Sequence, residues 1–149
     1  MNVGALCNRE VVIAHPQEKL LDAVRRMRTY HVGTLVVVNE QEKRQPIGIL
    51  TDRDVTIGAV AQAPEDLHRL LVRDVMSDEL VTARQSEDLE DVVRRMTRAG
   101  VRRVPVVDET NILQGILALD DLFEYVAEQV EDFVRLMGRE RRREEARRI

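Results

Sequence analysis

The feature that most constrains this chain is internal duplication: one structural unit is written twice, the second copy starting 69 residues after the first. Val12-Ile13-Ala14 stands against Val81-Thr82-Ala83, and the register then holds. Glu18 meets Glu87, Leu20 meets Leu89, and Val24-Arg25-Arg26-Met27 returns as Val93-Arg94-Arg95-Met96. Val37-Val38 meets Val106-Val107. After a loop two residues shorter, Gly48-Ile49-Leu50 returns as Gly115-Ile116-Leu117, and Asp54 meets Asp121. Half of 149 residues is too little to bury an adequate core alone, so the two copies must stack and share one.

Each copy reads as β-α-β-β-α. A short strand (Val11 to Ala14, or Leu80 to Ala83) leads into a helix whose apolar stripe is Leu20, Val24 and Met27, or Leu89, Val93 and Met96. A β-rich run follows, Leu35 to Val38 or Val104 to Val107, and then a second strand, Ile47 to Leu50 or Ile112 to Leu117. Glu40 to Arg44 and Asp108 to Asn111 form the hairpin loops. The closing helices are Asp52 to Ala61 and Leu119 onward, and Pro64 suits the first turn of a short extra helix reaching to Leu71. Past Leu122 the last helix keeps apolar spacing through Phe123, Val126, Val130, Phe133, Val134 and Met137, with Gly138 as its expected stop. That stripe covers either the protein's own core or a second chain. The domain boundaries expected are 1–70, 71–130 and a charged helical tail at 131–149.

Aromatics are 3% of the chain and Trp is absent, so the core is aliphatic and a small ligand would find few rings to stack on. The net charge of −4 argues against a nucleic-acid partner. Residues 139–149 carry six Arg and three Glu, and their i, i+4 pairs favour a solvated helical tail over a nucleic-acid arm. A single cysteine, no secretory leader and no long apolar run point to a soluble cytoplasmic protein with no membrane partner. Cys7 falls opposite Met76 in the repeat and reads as an apolar packing residue.

No catalytic set emerges. His15, His31 and His68 lack metal-ligand spacing, and there is no Gly-rich phosphate loop or nucleophile elbow, so neither a metal nor a catalytic residue is assigned. The informative stretch is Gly48-Ile49-Leu50-Thr51-Asp52-Arg53-Asp54, which ends a strand and opens a helix. Glycine there permits a close backbone approach, and the first-turn N–H groups can receive a phosphate. Thr51 adds a hydroxyl, and Asp54 can accept hydrogen bonds from ribose hydroxyls. The same Thr-x-x-Asp spacing is also a helix capping box. Recurrence of the aspartate as Asp121, where Ala118 replaces the threonine, favours a role beyond capping. Arg102-Arg103, ahead of Val104-Pro105-Val106-Val107-Asp108, sits where a phosphate would need a counter-charge, though a solvated pair explains it equally.

These segments, with Arg73-Asp74-Val75-Met76, resemble a tandem pair of CBS domains, a Bateman module, over about Val3 to Gln129. The resemblance implies two β-α-β-β-α units packed pseudo-symmetrically, often dimerised, with an adenine nucleotide or related adenosyl ligand in the clefts between them and no cofactor required. It assigns ligand contacts to Thr51, Arg53, Asp54 and Asp121, to Arg102, Arg103 and Pro105, and to the strand positions Ile13 and Thr82. The function implied is a non-catalytic regulatory sensor, a homodimer binding AMP before ADP or ATP and signalling to an unidentified protein. The alternative is a structural homodimerisation module with vestigial clefts. Because each copy keeps only part of the pattern, one good site and one weak one are expected.

Overall fold

The computed structural model describes residues 1–41 and 44–148, so Glu42 and Lys43 of the expected first hairpin loop lie outside the described residues. The chain divides into two units, Met1–Leu117 and Ala118–Ile149. The first begins with a four-residue helix, α1 (Val3–Leu6), and the first copy follows as β1 (Ile13–Ala14), α2 (Leu20–Tyr30), β2 (Thr34–Val38), β3 (Pro46–Thr51) and α3 (Asp52–Val55). A π turn at Thr56–Val60 and a 3-10 turn at Pro64–Asp66 lead to α4 (Val72–Val75). The second copy repeats the order as β4 (Ala83–Arg84), α5 (Leu89–Ala99), β5 (Arg103–Val107) and β6 (Leu113–Ala118), and α6 (Leu119–Arg147) forms the second unit.

Each copy builds a mixed three-stranded sheet, ordered β1-β2-β3 and β4-β5-β6. β1 runs parallel to β2, a pairing that needs a crossover, and α2 supplies it. β2 and β3 are antiparallel, with Thr34 opposite Thr51. The central strand is buried on both faces, which is why its sequence is an unbroken apolar run, whereas β3 and β6 alternate. Leu35 and Val37 pack with Leu20, Ala23, Met27 and Leu50. Val36 and Val38 point to the opposite face and meet Leu113 of the second copy, joined by Ile13 and Ile116. The helix stripe is therefore centred on Ala23 and Val92, with Val24 packed at its edge. Each fully buried Val or Leu contributes roughly 1.5–3 kcal/mol.

The copies also exchange their leading segments. The backbone N–H groups of Val3 and Gly4 in α1 donate to Glu87 and Gln85 of the second copy at 3.0 and 2.9 Å, and Asn8 pairs in both directions with Ile116. Reciprocally, Val72 in α4 donates to Glu18 of the first copy at 3.0 Å, and Ser77 pairs in both directions with Ile49. Val3 and Val72 are fully buried. The glycines expected to admit a ligand admit these segments instead. A Cβ on Gly48 would lie 2.6 Å from the Ser77 carbonyl oxygen, and one on Gly115 would lie 2.7 Å from that of Asn8. Cys7 is buried, its sulfur 2.8 Å from the same Gly115 position, as Met76 flanks Gly48, so both residues fill the equivalent slot that the repeat implied.

Two other expectations are corrected. Gly138 does not stop the last helix, which runs on to Arg147; a mid-helix glycine costs only about 1 kcal/mol and good helix formers surround it. The closing helix of the first copy is one α turn followed by a π turn rather than a continuous α-helix. Among the described residues no helix is long and apolar enough to cross a membrane.

Because the exchanged segments meet backbone at the two glycines, Gly48→Ala and Gly115→Ala should each destabilise the fold by about 1–3 kcal/mol. Gly58→Ala, whose Cβ would meet Val75 at an ordinary 3.5 Å, should change stability little. Urea unfolding of the three variants checks this contrast.

Candidate functional site: a cleft between the two copies

At the β3–α3 junction the Thr51 N–H donates to Asp54 Oδ2 at 2.9 Å, and the Asp54 N–H donates to Thr51 Oγ1 at 3.1 Å. The capping box is thus formed on both sides. The remaining first-turn donors are also occupied: the Asp52 N–H bonds the Gly33 carbonyl and the Arg53 N–H bonds Asp52 Oδ1, each at 2.9 Å. The backbone N–H groups expected to receive a phosphate are therefore taken. What the junction still offers is the Thr51 hydroxyl proton and the second carboxylate oxygen of Asp54.

The argument from Asp121 changes as well. Its Oδ2 accepts the Ala118 N–H at 2.9 Å, so the carboxylate half of the cap works without a threonine. Asp74 does the same for Leu71, Glu18 for His15 and Glu87 for Arg84. Three helix starts and the two turns that follow β1 and β4 share this device, and recurrence of the aspartate follows from capping alone.

Position distinguishes Asp54. It lines a cavity of about 590 Å³ with Thr51, Asp52 and Arg53 from the first copy and Arg102 and Arg103 from the second. Gly33 and Thr34, the repeat counterparts of Arg102 and Arg103, line the same cavity. The Thr34 hydroxyl is buried there with no hydrogen-bond partner. Ser77 and Glu79 complete the wall. Sequence reasoning assigned no ligand role to these last three, and the expected strand began only at Leu35.

The structure thus gathers Thr51, Arg53, Asp54, Arg102 and Arg103, and places the other candidates elsewhere. Ile13 lines a second cavity of about 590 Å³, in which Asn8, Glu10 and Val32 are the repeat counterparts of Ser77, Glu79 and Val101. Thr82 lines a third, about 430 Å³, with Arg84, Glu87 and Arg95. Pro105 is buried within β5 and is not among the residues lining these cavities. Asp121 belongs to the second unit. No group of three or more His, Cys, Asp and Glu among the described residues could hold a metal ion.

Ile13 and Thr82 are held by the same device in each copy. Arg26 Nη1 donates to the Ile13 carbonyl at 2.7 Å and pairs with Glu18 at 2.9 Å. Arg95 donates to the Thr82 carbonyl at 2.8 Å and to both carboxylate oxygens of Glu87. The Arg95 hydrogen bond holds the Glu87 carboxyl below its ordinary pKa, outweighing partial desolvation. The repeat showed both residue pairs, yet nothing local to either residue marked them as partners.

Comparison with known proteins agrees with this geometry. The family model for the CBS domain matches residues 3–57 and 72–128. The chain is 32% identical over 124 residues to MK0525 of Methanopyrus kandleri, an uncharacterized protein, covering 83% of this chain and 62% of that one. It therefore spans about three fifths of that relative. It is 34% identical over 113 residues to the CBS domain-containing protein YhcV of Bacillus subtilis, covering 76% of each. Among solved structures, the CBS domain pair of protein MJ0100, in complex with 5′-methylthioadenosine and S-adenosyl-L-methionine, matches with a TM-score of 0.74. That match covers 87% of this chain and 98% of that one at 22% identity, a likeness of fold.

A carboxylate with a lowered folded pKa stabilises the native state above its unfolded pKa, about 4.3, and loses that contribution as pH falls through the folded value. Glu87→Gln should therefore lower stability at pH 7 by about 0.5–1 kcal/mol, solvent screening of the half-exposed Arg95 keeping the figure small. Its stability should also fall less steeply than the wild type's on acidification below about pH 4.3. Urea titrations at a series of pH values measure both.

Proposed function

The chain belongs to the CBS domain family as a tandem pair, and on that premise we propose that it is a non-catalytic regulatory module that binds an adenine nucleotide, AMP first, between its copies. The observation carrying this reading is the cleft in which Thr51 and Asp54 of one copy meet Arg102 and Arg103 of the other. Its volume, about 590 Å³, suits a ligand of nucleotide size. In this reading the free oxygen of Asp54 accepts from the ribose hydroxyls, and the arginines and the Thr51 hydroxyl take the phosphate. Arg53, Arg102 and Arg103 stand against Asp52, Asp54 and Glu79, so the charges lining the cleft balance. That balance favours a monophosphate over a more highly charged triphosphate. The adenosyl ligands of the MJ0100 pair make that class the first to try.

A ligand touching both copies favours the arrangement in which they close on it, and a partner protein that distinguishes the two arrangements reads the signal. The apolar stripe of α6 supports a homodimer as the functional unit.

Calorimetry with AMP, ADP, ATP, NAD and S-adenosylmethionine tests the reading, with AMP expected to bind most tightly. Asp54→Asn keeps an oxygen for the Thr51 N–H and turns the other position into a donor. It should cost about 1.5–3 kcal/mol, roughly 10- to 150-fold in AMP affinity, with unfolding stability little changed. Arg103→Gln should weaken AMP but not adenosine. The reading fails if none of the five ligands binds below about 1 mM, or if both variants leave AMP affinity untouched.

A further inference from the structure

α6 presents an apolar stripe that a single helix cannot bury by itself. Phe123, Val126, Val130, Phe133 and Met137 follow one another at alternating spacings of three and four, and each is more than half exposed. This alternation keeps one face turned toward a partner helix over about two heptads. Charge is also sorted along the axis. Residues 119–134 carry six acidic side chains and no basic one, whereas residues 135–148 carry seven arginines and three glutamates. At the boundary Arg135 pairs with Glu131 and Asp132, at 3.8 and 3.9 Å.

We propose that this stripe is the seam for a second copy of the chain, with the two α6 helices antiparallel. Sorted charge selects the orientation. In a parallel pair the acidic half lies along an acidic half and the arginine-rich half along another. In an antiparallel pair each half lies along its opposite, so electrostatic complementarity sets the direction while the apolar residues hold the seam. With Val130 near the twofold axis, Phe123 of one helix falls level with the Phe133–Met137 turn of the other. Asp120, beside the seam, then falls level with Arg141 of the other helix, also beside it. This rests on the homodimer in the reading above and specifies its contact, and it is independent of what the cleft binds.

Sedimentation equilibrium of the full chain should show a dimer at micromolar concentration that weakens as salt rises, because the charge contribution is screened. Phe123→Ser combined with Phe133→Ser should weaken it more than about tenfold. Arg141→Glu, and separately Asp120→Arg, should each weaken self-association, and mixing the two charge variants should restore it as a heterodimer. In a Cys7→Ala background, Phe123→Cys mixed with Met137→Cys should cross-link between the two variants. A wild-type chain that stays monomeric overturns the homodimer and the orientation together. A dimer that cross-links Phe123→Cys to itself, or one indifferent to charge reversal, leaves the homodimer standing and overturns the antiparallel seam.

Discussion

At two equivalent points the copies come closer than any side chain would allow. The Ser77 carbonyl lies where a Cβ on Gly48 would be, and the Asn8 carbonyl lies where one on Gly115 would be. From this contact follows the exchange of leading segments: each segment pairs as an extra backbone run on the last strand of the other copy, Ser77 with Ile49 and Asn8 with Ile116. The sheets are then held face to face, and Val36, Val38 and Leu113 fill the gap between them. An aliphatic interior with almost no aromatics has no large side chain to bridge a loose joint. Close packing of backbone against backbone does that work.

The same contact builds the cleft. Ser77, locked to Ile49, carries Glu79 into the wall opposite Thr51 and Asp54. Through the exchange, the strand entrance bearing Arg102 and Arg103 faces the strand entrance bearing Gly33 and Thr34. A cleft assembled from both copies cannot change shape without changing the joint between them. Any ligand held across it would therefore be coupled to their relative arrangement by construction, which is what the sensor role proposed above requires.

Much of this was legible in the sequence, because a repeat at fixed offset and apolar residues at helical spacing are properties of the chain itself. The β-α-β-β-α order and the central buried strands are of that kind, and the strand-to-helix motif and the basic pair pointed to Thr51, Arg53, Asp54, Arg102 and Arg103, which line one cleft. The exchange was not legible: aligning Cys7 with Met76 shows that the two fill equivalent slots, but not that each slot belongs to the other copy. Gly48 correctly signalled a close approach, with the wrong visitor. Of the first-turn N–H groups, that of Asp52 looked free because its acceptor, the Gly33 carbonyl, is brought to it only by the tertiary fold, whereas the Arg53 N–H is taken by the neighbouring Asp52 side chain. Arg26 and Arg95 repeated faithfully, yet their task of tethering the Ile13 and Thr82 carbonyls depends on contacts 13 residues away.

Capping at Asp54 does not compete with the ligand contact proposed for it. The Thr51 N–H holds one oxygen of the carboxylate, so the second oxygen would meet a ligand with little ordering left to lose. Arg102 and Arg103 are exposed and must surrender rotamer freedom to hold an anion. The carboxylate side of the cleft is thus preorganised and the arginine side is not. In the second copy Ala118 supplies no hydroxyl, and Asp121 keeps only the bond it accepts from the Ala118 N–H. The two carboxylates are thus held by the same bond, and what distinguishes Asp54 is the neighbouring Thr51 hydroxyl and the cavity that both residues line.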